Sequence, residues 1–296
     1  MAKRGSKMGS KLLSGLIVAL LLAVIAFLQG NGVLPDTVNP NADGAVYLHI
    51  IDVGQGSSTL IQQGNEGILI DAGESDYGKV VSDYINACGV DTLKYVVASH
   101  PHSDHIGGLP AVLRNYDVGE VLMPEIDEAN LPATRVYELF LDTVAERGFS
   151  ASYCEVGDIY RMGDVTMQIL GPVTQIKDLN NMSAICKLSV GDTDVMVLGD
   201  AETKELKSVY KHGGNFESEL LLMGHHGSST SLYYDFLYEV DPLEAVISCG
   251  RDNSYGHPHE ETITYLEEND IEYWRTDYSG DIVYRLHSDG FERIEG

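Results

Sequence analysis

Basic residues are scarce in this chain of 296 residues: 19 Lys and Arg stand against 45 Asp and Glu, for a formal net charge of −26 at pH 7. Beyond residue 44 the imbalance sharpens to 15 basic against 43 acidic residues. So acidic a surface repels polyanions, which argues against tight, non-specific nucleic-acid binding through a basic face. It does not exclude hydrolysis of a phosphodiester in a pocket charged by metal ions. Cysteine is sparse as well, and Cys88, Cys154, Cys186 and Cys249 are scattered without paired spacing. The pattern assigns no disulfide and offers no cysteine-rich structural zinc site. Long apolar runs are absent with one exception, Leu12 to Leu28.

That exception bears on location. Its 17 residues are at the short end of what spans a bilayer, and Lys3, Arg4, Lys7 and Lys11 precede it. The flanking cations predict a cytoplasmic segment 1–11, an anchor or signal segment 12–28 and an extracellular body. No small-x-small cleavage site follows directly, which favours an uncleaved single-pass anchor over a secreted form. Residues 29–45, with Gly, Asn, Pro and Asp, read as an exposed linker, and 46–296 as one catalytic domain.

The densest chemistry lies in Ser99-His100-Pro101-His102-Ser103-Asp104-His105-Ile106-Gly107-Gly108. Thr92 to Ala98 is β-branched and aromatic, so a buried strand is expected to deliver this run at its C-terminal end. An extended His100-Pro101-His102 puts two imidazoles on one side, because residues i and i+2 share a face. Asp104 and His105 follow a turn, and Ile106 to Tyr116 is expected to be a short helix whose glycines let backbone crowd the site. No cysteine is nearby, which favours a hydrolytic centre over a structural zinc.

Other strand ends repeat the layout. Val46 to Asp52 and Ser58 to Gln62 read as a strand pair across a tight turn, and Gly67 to Gly73 as a strand ending at Asp71. Asp71 fits either a turn cap or an orienting partner for a ligating histidine. Lys79 to Cys88 and Tyr137 to Arg147 are helical in pattern. Asp194 to Asp200, Glu219 to Met223 and Ala245 to Cys249 are apolar strands that run into Asp200, into His225-His226-Gly227-Ser228 and towards Tyr255-Gly256-His257-Pro258. Strand ends carrying His and Asp and converging on one rim are how α/β architectures build active sites.

Asp52 to Gly56, Leu69 to Gly73, Ser99 to Gly108, Asn180-Asn181-Met182-Ser183, Leu198-Gly199-Asp200, His225 to Ser228, Tyr255 to Pro258, Arg275-Thr276-Asp277 and Gly280 occur in an order that resembles the metallo-β-lactamase superfamily. Within it they resemble the extracytoplasmic hydrolase domain of ComEC-like competence proteins, over about residues 46 to 286. The resemblance implies an α/β fold, an αββα four-layer sandwich, here preceded by one N-terminal transmembrane helix. It implies two divalent metal ions, zinc or manganese. His100 and His102 would hold the first, Asp104 and His105 the second, and Asp200 would bridge them. The last histidine ligand is expected at His257, whose interval after Asp200 fits better than that of His225. His225 or His226 then becomes a candidate acid or phosphate contact, with Ser228 and the Gly227 amide near the leaving oxygen.

Two departures stand out. His102 occupies a position where many ComEC-like domains carry an acid, so the first metal is expected to be better ligated here. The superfamily usually places a histidine between the run and the bridging Asp, yet none occurs between His105 and His212. Asn180 or Asn181 stands there instead, and an amide is a weak ligand. Asn181-Met182-Ser183 is a glycosylation sequon by pattern only.

Two metals lower the pKa of a shared water and stabilise charge during in-line attack, while Asp104 or Asp200 steers it and accepts its proton. The expected function is a membrane-anchored phosphodiesterase acting on DNA or on an envelope phosphodiester such as a phosphorylcholine ester. Its expected partners are the membrane and that substrate, with no stable protein partner. It lacks the many spans of a complete ComEC-like protein and is not expected to be a DNA channel alone. Hydrolysis of a lactam, lactone or thioester on the same core, or a non-catalytic metal-stabilised binding module, are the alternatives.

Overall fold

The computed structural model describes residues 44–295. The expected segments 1–11 and 12–28, and the linker up to residue 43, lie outside the described residues. Among the described residues no helix is long and apolar enough to cross a membrane.

The described residues form fifteen strands: β1 Val46–Ile50, β2 Thr59–Gln63, β3 Glu66–Ile70, β4 Thr92–Val97, β5 Asp117–Pro124, β6 Ser150–Cys154, β7 Ile159–Met162, β8 Val165–Gly171, β9 Ile185–Val190, β10 Thr193–Val197, β11 Leu220–Leu222, β12 Glu244–Ile247, β13 Glu272–Arg275, β14 Ile282–His287 and β15 Gly290–Ile294. They form an eight-stranded sheet in the order β15-β14-β1-β2-β3-β4-β5-β6 and a seven-stranded sheet in the order β13-β12-β11-β10-β9-β8-β7. In the first sheet β3 to β6 run parallel, and in the second β10 to β13 do.

Side chains alternate across each strand, so a sheet covered on both faces must be apolar on both. In β3, Ile68 and Ile70 face the other sheet while Leu69 faces helices. In β10, Val195 and Val197 face inward and Met196 outward. Three apolar layers result. One lies between the sheets, and one packs helices Gly78–Ala87, Leu109–Asn115 and Arg135–Arg147 on the first sheet. The last packs helices Thr203–His212, Tyr234–Val240 and Glu260–Glu268 on the second. This is the four-layer αββα sandwich, and burial of these side chains at about 25 cal/mol per Å² of apolar surface holds it together.

The helix expected over 106–116 is instead two pieces, Ser103–Ile106 and Leu109–Asn115. The break has a packing cause. A Cβ on Gly107 would lie 2.5 Å from the Ser75 amide nitrogen, and one on Gly108 would lie 2.1 Å from the Ala72 carbonyl oxygen. Only glycines let this segment pass so close beneath the loop after β3, which brings His105 against Asp71. The helix expected at 137–147 begins at Arg135, where the Thr134 hydroxyl accepts from the Tyr137 amide at 3.3 Å, and ends at Gly148 with φ 66°. All four cysteines are free.

Candidate metal centre

The parallel strands of both sheets end at one rim. β3 leads to Asp71, β4 to Ser99 and His100, β10 to Asp200, β11 to His225 and His226, and β12 to Ser248. Two donor groups form there. Asp104, His105, Asp200 and His226 make one, and His100, His102 and Asp200 the other, with ligand atoms in each group within 4.8 Å of one another.

Asp200 belongs to both. Its Oδ1 lies 3.1 Å from His105 Nε2 and 3.7 Å from His226 Nε2, while its Oδ2 lies 3.7 Å from His100 Nε2. One carboxylate oxygen therefore faces each group.

The buried histidines are oriented from behind. His105 Nδ1 donates to Asp71 Oδ2 at 2.7 Å, which turns Nε2 towards the site. Asp71 also accepts from the Ser99 amide at 2.8 Å and the Ser99 hydroxyl at 2.5 Å. Of its two possible roles, it takes that of orienting partner, and it sits at φ 61° to do so. His226 Nδ1 donates to the Ser248 carbonyl at 2.9 Å, leaving Nε2 3.2 Å from Asp104 Oδ2. His100 Nε2 and His102 Nδ1 face each other at 3.0 Å. Two ring nitrogens so close, together with His105 Nε2 and Asp200 Oδ1 buried without a hydrogen-bond partner, fit cations. The donors are imidazole and carboxylate without thiolate, a set that suits divalent metal ions.

Electrostatics agree. Burial opposes charge on His105, but Asp200 and Asp71 overcome it and hold the imidazole pKa well above its ordinary value. Burial likewise opposes charge on Asp200, and His105 and His226 reverse it, keeping the carboxyl pKa well below its ordinary value. Asp104 is held low against burial by its hydrogen bond to His226 and the charge of His105. Burial, with His105 beside it, drives His100 far down. The site is thus a knot of coupled charge that cations would resolve.

His226, not the expected His257, completes the second group. Both His225 and His226 adopt left-handed backbone, φ 51° and 55°, between Gly224 and Gly227. This turn aims both rings at the centre, at a cost of about 1 kcal/mol per residue. His257 also lines the cleft but falls in neither donor group, its Nδ1 3.4 Å from Gln55 Nε2, and burial with the neighbouring His225 lowers its pKa to about 4. His225 Nε2 lies 3.7 Å from Asp200 Oδ2 and 3.4 Å from Asn180 Nδ2. Asn180 lines the cleft with its Oδ1 buried and unpartnered. Asn181 points away, accepting from the Glu205 amide at 3.1 Å and donating to Glu202 Oε2 at 3.1 Å. Ser228 departs from expectation: its hydroxyl is buried, accepts from the Thr230 amide at 3.3 Å and caps a turn, so it does not face the cleft. The cleft itself, about 610 Å³, is walled by Gln55, Pro132, Val136, Leu179, Tyr255 and His257 above the donors.

A profile of the metallo-beta-lactamase superfamily matches residues 51–251, which contain both donor groups. The chain belongs to the metallo-beta-lactamase superfamily. Among curated proteins it is similar to competence protein ComA of Neisseria gonorrhoeae, 33% identical over 262 residues, covering 86% of this chain and 34% of that protein. It is also similar to ComE operon protein 3 of Bacillus subtilis, 28% identical over 257 residues, covering 80% of this chain and 32% of that protein. The chain thus spans about a third of the length of these relatives. Among solved structures, the metallo-beta-lactamase fold protein YhfI from Bacillus subtilis superposes with TM-score 0.56 at 14% identity, covering 81% of this chain and 100% of that one. At that identity the likeness speaks for the fold alone. The protein is a metallo-beta-lactamase-fold hydrolase related to competence proteins.

The role of Ser248 left no trace in the sequence, because it offers only a backbone carbonyl.

Proposed function

We propose that this protein is a metal-dependent phosphodiesterase, tethered to a membrane by residues 12–28 with its catalytic domain outside the cell, and acting on nucleic acid or an envelope phosphodiester. The observation that carries the reading is Asp200, one oxygen towards each donor group, at the floor of an open cleft. Similarity to competence proteins supports it.

His100, His102 and Asp200 would hold one ion and Asp104, His105, His226 and Asp200 the other, zinc or manganese by donor chemistry. Two such ions supply a low-pKa water and stabilise the oxygen charge that builds during in-line displacement at phosphorus. Asp104, the more exposed of the two carboxylates, would steer the attacking water and take up its proton. His225 Nε2 faces the cleft beside Asn180 and protonates the departing oxygen, while Glu202 Oε1, 3.5 Å from Nδ1, holds the ring.

Substrate classes decide the matter. The metal-stripped full chain, resupplied with Zn²⁺ or Mn²⁺, is expected to cleave a chromogenic phosphodiester and to leave β-lactam, lactone and thioester substrates intact. His225→Ala should lower kcat about 10²- to 10⁴-fold at unchanged metal content. Turnover of a lactam or thioester without the diester would overturn the proposal.

A further inference from the structure

We propose that Tyr255, stacked on His257 at the mouth of the cleft, is the platform for an unpaired nucleobase next to the scissile phosphate, making the substrate a single-stranded oligonucleotide. The inference rests on the phosphodiesterase reading and narrows it.

Tyr255 is 68% exposed. It lines the same cleft as His102, Asp104, Asp200 and His225. Its ring lies nearly parallel to that of His257, 22° between planes with centroids 5.7 Å apart, and most of its surface is open to solvent.

The loop that presents it is built with care. Asn253 satisfies both amide protons and uses its carbonyl oxygen twice: Nδ2 donates to Gly250 O at 2.9 Å and His257 O at 2.6 Å, and Oδ1 accepts from the amides of Tyr255 at 3.2 Å and His257 at 3.0 Å. Gln55 accepts from the Gly250 amide at 3.1 Å and reaches His257 Nδ1 from the other side. His259 accepts from the Ser229 amide through Nδ1 at 3.0 Å, which leaves its Nε2 proton for the Tyr255 carbonyl at 3.4 Å. A ring on a backbone so firmly held loses little freedom when a base stacks on it. Pro132, Val136 and Leu179 give the cleft apolar walls elsewhere, suited to the edges of a base or sugar.

Among the described residues no Lys or Arg lines the cleft, so a base there would be held by stacking rather than through its phosphates, and stacking is sequence-tolerant and needs a base with a free face. In a duplex both faces are covered by neighbouring pairs, so a paired base has none to offer.

The test compares, with the metal-loaded full chain, a single-stranded deoxyoligonucleotide, its ribo counterpart, its duplex and the same deoxy strand with abasic residues. The native protein is expected to favour the base-bearing over the abasic strand about ten- to a hundredfold in kcat/KM, mostly through KM, and to cut the duplex poorly. In Tyr255→Ala that ratio should fall close to one, and in Tyr255→Phe it should be kept. Because the readout is a ratio, a general loss of activity does not imitate it. The deoxy and ribo arms tell which nucleic acid supplies the base. Equal cleavage of base-bearing and abasic strands, or a preference untouched by Tyr255→Ala, overturns the platform while leaving the phosphodiesterase reading standing. No cleavage of any strand, with a simple chromogenic diester still turned over, also overturns the platform; silence on both kinds of diester removes the phosphodiesterase reading as well.

Discussion

Asp71 shows how much of the centre depends on a residue that would touch no metal. It fixes the His105 ring through Nδ1 and anchors the start of the histidine run through Ser99. Asp71→Asn keeps the volume but exchanges a charged acceptor for an amide. A chelator competition should find the metal bound about 10- to 100-fold more weakly, with the far-ultraviolet spectrum unchanged. Protonation gives a second handle. His105 and His226 carry raised pKa values in the metal-free protein, so their charged forms stabilise it fully below the ordinary value of 6.5, and that contribution fades as pH rises through the raised values. Metal binding has the opposite sign because it displaces those protons. The rise in melting temperature on adding Zn²⁺ should therefore grow from about pH 6 to about pH 8; a rise that shrinks over that window would show that the two imidazoles do not bind metal. Much of the site was legible at this scale, since His100, His102, Asp104, His105 and Asp200 fall within the two donor groups that the strand ends and family motifs point to. His226, expected as an acid or phosphate contact, stands in a donor group instead, because the left-handed turn at His225 and His226 brings its ring inward where interval counting favours His257. His226→Ala should reduce bound metal by one equivalent, and His257→Ala should leave it unchanged by elemental analysis.

The break between helices Ser103–Ile106 and Leu109–Asn115 governs how the site is assembled. Gly108→Ala would drive a methyl group into the Ala72 carbonyl, and backbone on both sides must shift. We expect a loss of about 1–3 kcal/mol in urea unfolding together with weakened metal binding, because Asp104 and His105 ride on the displaced segment. A variant with native stability and native metal affinity would contradict this account of the glycine pair. Periodicity located the elements best where burial is one-sided or complete: β1, β4 and β10 are apolar runs, and Arg135–Arg147 has a clear amphipathic face. It locates the break poorly, since a Gly-Gly pair within an otherwise helical pattern signals weakness without saying what presses on it. β6 is exposed along most of its length and leaves little hydrophobic alternation to read.

At the scale of the whole molecule, an acidic surface surrounds a centre that must receive a negatively charged diester. Ionic strength should therefore act opposite to its effect on a basic nuclease. Raising salt from about 20 to about 200 mM screens the repulsion and should increase kcat/KM on an oligonucleotide, where a steep fall would reveal a phosphate-tracking cationic surface. The αββα layering was legible in the motif order, and its cause is plain in the structure: sheets apolar on both faces need a layer on each side. The most direct test of the central claim is a titration of the metal-stripped full chain with Zn²⁺ or Mn²⁺, following bound metal and phosphodiester turnover together. A centre shared through Asp200 predicts two equivalents bound, with turnover appearing as the second is taken up. Saturation at one equivalent, or two equivalents bound with no turnover, would contradict a dinuclear phosphodiesterase.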